Sequence, residues 1–204
     1  MSIRRGEAWG EIGPLPADGV VVHADAQART VVEAAQRAGT PTPAVGLLGG
    51  DLCTTLGGRG DRARLQSPDA VRLRVDVGRV ILDDADVHWF VAHLVARRSW
   101  WRGRVVAVMN AAWLGTWNVA PRAHPGDGSF DVLDANMSLG DRCKARSRLP
   151  LGTHVPHPAI AMTRARDLRL TFDAPMPIWL DGELVGRARS VHVVVEPDTL
   201  AVVL

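Results

Sequence analysis

A chain of 204 residues with a formal net charge of +2 and 47% hydrophobic side chains can bury a sizeable core, and its charge is too small to argue for nucleic acid. Its two cysteines, Cys53 and Cys143, lie far apart with no ligand-spaced neighbour. That argues against a disulfide framework or a zinc site and for buried reduced thiols. No run of about 18 apolar residues occurs, and none follows the arginines of Met1–Gly6, so the expectation is a soluble cytoplasmic protein. Lys144 is the only lysine; so complete a use of arginine points to a genome rich in G and C more than to a phosphate-binding surface.

In chain order, residues 19–23 read as a short buried strand, followed by an alanine-rich helix over 25–38 with Asp25 at the N-cap and Gly39 ending it. Residues 44–48 form a second apolar strand before Gly49-Gly50-Asp51, completing a strand-helix-strand unit. The stretch from Gly46 to Gly50 is no Walker loop, because no lysine follows it. From Val71 the pattern changes to period two, over 71–77 and 79–83, and further strands are expected at 89–94, 104–110, 131–133 and 168–172. Ser190–Glu196 and Leu200–Leu204 flank Pro197-Asp198 and read as a terminal hairpin.

The one helix expected in this half, at 139–149, carries Arg142, Lys144, Arg146 and Arg148. Cations at every second position encircle a helix, so it reads as solvated and only weakly as a lipid or phosphate surface. Arg97-Arg98-Ser99-Trp100-Trp101-Arg102 suits a headgroup layer or a partner surface, or equally a loop folding its indoles inward. The fold class is therefore α+β: a small α/β piece over residues 1–57 and a mostly antiparallel β-sandwich over 58–204, with the cleft between them as the default site.

Two acidic turns stand out, His124-Pro125-Gly126-Asp127-Gly128-Ser129 and Leu180-Asp181-Gly182-Glu183. Asp-Gly favours tight turns because glycine enters positive φ freely, which stands a carboxylate at a loop tip; either turn alone is ordinary. His154 and His157 lack a third ligand and the helical spacing of a metal pair.

Taken together, Val108-Met109-Asn110 with Gly115, Ala120 to Asp131, Gly152-Thr153-His154 and Leu180 to Glu183 resemble the bacterial diacylglycerol kinase-like lipid kinases, relatives of the sphingosine kinases. The resemblance implies an N-terminal nucleotide domain, a C-terminal β-sandwich, ATP in the cleft, and a lipid hydroxyl as phosphoryl acceptor. It implies Glu183 as general base, Mg²⁺ at Asp127 with main-chain help from His124 and Ser129, and nucleotide contacts from Asp25, Gly49, Gly50 and Asp51.

The N-terminal part departs from the family. His23-Ala24-Asp25-Ala26-Gln27 stands where the family has Gly-Gly-Asp-Gly-Thr, and Leu48 to Gly57 is a reduced second motif. Each lost glycine puts a Cβ where backbone would approach phosphate. For Asp25 a helix cap and for Asp51 a turn role are even alternatives; for Asp127 the alternative is an Asx turn. Two functions remain open: a kinase acting on a lipid hydroxyl such as that of diacylglycerol, or an inactive lipid- or partner-binding module. Peripheral contact at the inner membrane surface, a homo-oligomer and a partner kinase chain belong to the same expectation.

Overall fold

The computed structural model describes residues 9–204; Met1–Gly6, read above for a leader, lies outside them. A two-residue strand, β1 (Glu11–Ile12), precedes β2 (Val20–Val22), α1 (Asp25–Ala38), β3 (Val45–Leu47), α2 (Asp51–Thr55) and α3 (Arg62–Leu65). α1 buries Ala28, Val32 and Ala35 and ends at Gly39 in the left-handed conformation, φ 64°, where its amide reaches back to helix carbonyls. β2 and β3 run parallel, as the strand-helix-strand reading requires.

The rest is antiparallel. β4 (Val71–Leu82), β5 (Asp86–Phe90), β6 (His93–Arg97), β7 (Val105–Met109), a small ribbon of β8 (Trp113–Leu114) and β9 (Trp117–Asn118), and β10 (Phe130–Ala135) come first. Then α4 (Leu139–Arg148) and a 3₁₀ turn (Leu149–Leu151) lead to β11 (Ile160–Ala165), β12 (Asp167–Leu180) and β13 (Glu183–Val203). The main sheet runs β1-β4-β13-β12-β6-β7-β10-β11, with β5 on β4 and β3 parallel to the end of β13. β12 and β13 bend at register shifts and so serve both layers of the sandwich, the usual way strands turn a corner. Fold class follows the expectation: α+β, mostly antiparallel.

Several local readings change. The strand expected at 89–94 straddles the break at Val91-Ala92 between β5 and β6, and the runs at 71–77 and 79–83 are one strand, β4. The Pro197-Asp198 turn is a bulge within β13: Val191–Glu196 and Leu200–Val203 pair with the same strand, β4, so no terminal hairpin forms. The N-cap of α1 is Ala24, without a side-chain cap bond, while Asp25 is the first helical residue. Arg142 on α4 is buried, donating to the carbonyls of Met137, Trp100 and Gly103 and thereby tying α4 to the β6–β7 loop. Of the thiols only Cys53 is buried; Cys143 is exposed.

The main core lies inside the sandwich, around Phe90, Phe130, Ile178 and Leu180. A second core joins Val32, Leu47 and Leu52 to Val75, Val91 and Leu200, so α1, β3 and α2 pack against one end of the sandwich.

Candidate functional site

At that junction four acids meet. Asp25 sends its carboxylate across to α2, where Oδ2 accepts from the Asp51 amide at 2.5 Å and Oδ1 from the Leu52 amide at 3.2 Å. It therefore satisfies the N-terminus of a helix other than its own. Asp51 accepts from the Gly115 amide at 2.8 Å and pairs with His93 Nε2 at 2.9 Å. Asp181, first residue of the β12–β13 turn, takes the amides of Val91, Ala92 and His93 at 2.8–3.1 Å. The turn residues Asp181 and Gly182 have φ of 50° and 86°, the two-residue hairpin expected of Asp-Gly. It delivers Glu183 to Arg29 of α1 in an ion pair, with the arginine buried and the Glu183 side chain 61% exposed.

Crowding of acids in an apolar junction sets their protonation. Burial first, then the Asp181 charge, pushes Asp25 up to about 7 against two amide bonds that hold it down. Burial raises Asp181 despite the His93 charge and three amides. For His93 burial acts downward, but the bond to Asp51 and the charges of Asp181, Asp51 and Asp25 prevail and the group stands above its ordinary value.

Asp25, Asp51, Asp181 and Glu183 thus come together, but the arrangement does not fit nucleotide phosphates. The α2 amides that could receive a phosphate already serve Asp25. A Cβ on Gly49 would lie 2.6 Å from the His23 carbonyl oxygen and one on Gly50 would collide with Asp25 Oδ1, so both glycines admit the chain itself. Gly50, at φ 95°, is the N-cap of α2.

Asp127 lies apart. Its Oδ1 accepts from the Ser129 amide and hydroxyl at 3.1 and 2.9 Å, and its Oδ2 is paired with Arg164. The His124 carbonyl accepts the Gly126 amide at 2.8 Å and the Asp127 amide at 3.3 Å, and its ring packs on Trp9. A guanidinium occupies this loop's acid, no group of three metal-binding side chains occurs among the described residues, and the donors as arranged do not fit Mg²⁺. Beneath the loop is buried Asp76, which sequence reasoning passed over: it accepts from the Gly128 and Asp198 amides at 2.7 and 3.1 Å. Burial raises its pKa.

A second place with chemical character lies under α4. A cavity of about 100 Å³ is walled by Val105 and Ala107 of β7, Leu133 and Ala135 of β10, and Ile160, and is rimmed by Trp100, Trp101, Trp117 and Arg146. His154 lines it, 4% exposed, with the Val119 backbone beside its ring but no well-aligned hydrogen bond at either nitrogen. Burial holds its pKa below the ordinary value, so it is neutral near pH 7. His157 instead accepts the Ala159 amide at Nδ1, so the two histidines form no pair. Of the adjacent indoles, Trp100 turns partly inward and Trp101 stays 47% exposed.

Solved structures of the same fold are known. Two assigned as diacylglycerol kinases from Bacillus anthracis str. Sterne superpose with TM-scores of 0.67 and 0.65 at 13% identity, each covering 91% of this chain and 77% of the other. A third, from the same organism, has a TM-score of 0.61 at 12% identity and covers 91% and 75%. No curated protein sequence matches. Residues 67–204 match the YegS C-terminal NAD kinase beta sandwich-like domain, and the chain belongs to that diacylglycerol kinase-like family. Among the described residues no helix is long and apolar enough to cross a membrane.

Proposed function

We propose that this protein is a lipid-binding module on the kinase fold, holding an acyl chain under α4, with the carboxylate cluster acting as the joint between the N-terminal unit and the sandwich. One observation carries the reading: the apolar cavity lined by buried His154, in a chain whose Asp25, Asp51 and Asp181 carboxylates at the junction already have donors. A dry cavity of about 100 Å³ takes a benzene-sized piece of hydrocarbon. Each methylene buried contributes about 0.8 kcal/mol, or about fourfold in affinity. Trp101, Leu139 and Leu151 are exposed on the cavity's rim loop, α4 and the turn after it, which supports peripheral contact with the bilayer that supplies the lipid.

A second reading is favoured by the convergence of Asp25, Asp51 and Glu183: phosphoryl transfer to a lipid hydroxyl, with Glu183 taking the hydroxyl proton. It requires Arg29 to release Glu183 and Asp25 to surrender the α2 amides. The test is to incubate protein, diacylglycerol, ATP and Mg²⁺ and look for a phosphorylated lipid. The binding reading expects saturable lipid binding and no product. A product that disappears in Glu183→Gln with lipid binding unchanged would replace it with the kinase reading.

A further inference from the structure

Beside the cavity, two arginines and four indoles form one continuous series of contacts. Arg97 Cζ lies 4.6 Å from the centroid of Trp179 and 4.3 Å from that of Trp100. Trp100 meets Trp117 edge-on at 5.3 Å and 87°, and Arg146 lies 5.0 Å over Trp117 and 5.3 Å over Trp101. The backbone sets this up. Arg97 ends β6 opposite Val105 of β7, a cavity wall residue, and Trp179 of β12 sits opposite Val95 of the same β6 strand.

Among the described residues no carboxylate pairs with Arg97 and no hydrogen bond satisfies it; its Nε and the Trp179 Nε1 are both buried without partners. Three arginines elsewhere are matched by acids, Arg29 with Glu183, Arg104 with Asp134 and Arg164 with Asp127, and buried Arg142 by three carbonyls. Cation–π contacts contribute roughly 0.5–2 kcal/mol each but leave the buried Nε without an acceptor, while the outer guanidinium nitrogens remain open to a ligand or water. Burial accordingly lowers the Arg97 pKa. A planar fork clamped between two rings, with no anion of its own and one ring away from a dry cavity, has the form of a receptor for an oxyanion.

We propose that the ligand is an amphiphile with an oxyanion head, a carboxylate or phosphate monoester, whose head pairs with the guanidinium of Arg97 and whose chain fills the α4 cavity. This rests on the lipid-binding reading and adds the charge class of the ligand.

The experiment titrates wild type, Arg97→Gln and Arg97→Lys with dodecanoate, dodecyl phosphate, glycerol monododecanoate and inorganic phosphate below their micellar concentrations, reading tryptophan fluorescence. Wild type should bind the two charged amphiphiles at least about tenfold tighter than the neutral ester, the range expected for a charge-assisted bond. Arg97→Gln should abolish that preference and leave the ester's affinity unchanged, and Arg97→Lys should restore part of it. The unchanged ester affinity also shows that the variant is folded. Equal binding of charged and neutral amphiphiles overturns the inference and spares the lipid-binding reading. So does a preference that survives in Arg97→Gln. Inorganic phosphate binding as tightly as dodecyl phosphate means an anion site without a chain, and overturns it too. Binding of no amphiphile overturns both.

Discussion

The junction of α1, α2 and the β12–β13 turn and the cavity under α4 differ in the polar groups they bring together: carboxylates matched by amides at the first, aromatic and guanidinium nitrogens at the second. At the junction every carboxylate oxygen of Asp25, Asp51 and Asp181 has a donor from the chain, mostly backbone amides. Unpaired buried nitrogens occur at both places, Arg29 Nε and His93 Nδ1 at the junction and those of His154, Arg97 and Trp179 around the cavity, but only around the cavity do they lie beside an apolar space. Buried polar groups left unmade cost about 1–3 kcal/mol each, so a chain that leaves several together has a use for them. The family's acids persist at the junction with their Asp25 and Asp51 oxygens taken by the chain's own donors.

The largest effect that would break this comparison comes from Asp181→Ala, which strips three buried amides of their acceptor. Stability should fall by about 3 kcal/mol or more in urea unfolding, with amphiphile affinity of the folded protein intact. A loss below 1 kcal/mol would show that the cluster is no joint. Next, Ala107→Leu fills the cavity wall and should weaken amphiphile binding by about tenfold or more while costing about 1–3 kcal/mol by overpacking.

The pH dependence sharpens the same contrast. Asp25 has a folded pKa raised to about 7 and His93 one raised above 6.5. In both cases the native state holds protons that the unfolded chain has released, so stability falls as pH rises through the folded values. For Asp25 alone the upper bound is about 4 kcal/mol. His154, with a lowered pKa, works the other way, its contribution lost as pH falls below the unfolded value of 6.5. Between pH 6.5 and 8 the junction acts unopposed: the thermal midpoint should drop with rising pH in wild type and drop less steeply in Asp25→Asn, where His93 still contributes. A midpoint rising with pH over that window would contradict the assignment. The smallest effect is expected at Asp127→Ala, where an exposed arginine pair is lost: less than about 1 kcal/mol, equal with and without EDTA.

Much of this was legible from residue patterns, and what was not has a common cause. Alternation over Val71–Leu82, the alanine-rich run ended by Gly39 and the Asp181-Gly182 hairpin are local signals, and each element stands where they put it. Pro197-Asp198 also gave a local signal, for a turn, but both flanks found β4, and a partner strand more than a hundred residues away absorbed the break as a bulge. Asp25 looked like the cap of its own helix; its carboxylate answers amides 26 residues on, which no window around it contains. Arg142 could not be told from its neighbours on α4, because the carbonyls it meets belong to a distant loop. Arg97 was seen beside two tryptophans, but Trp179, the other face of its clamp, comes from β12. Resemblance brought Asp25, Asp51 and Glu183 into one place; only packing showed that the carboxylate oxygens of Asp25 and Asp51 already have donors and that Glu183 is paired with Arg29.

The most direct measurement of the central claim is amphiphile affinity against chain length, from three to ten carbons, in wild type, Ala107→Leu and Glu183→Gln. Affinity should climb by about fourfold per methylene until the cavity is full, collapse in Ala107→Leu, and be the same in Glu183→Gln as in wild type. Binding that survives in Ala107→Leu and vanishes in Glu183→Gln would put the ligand at the junction and contradict the account.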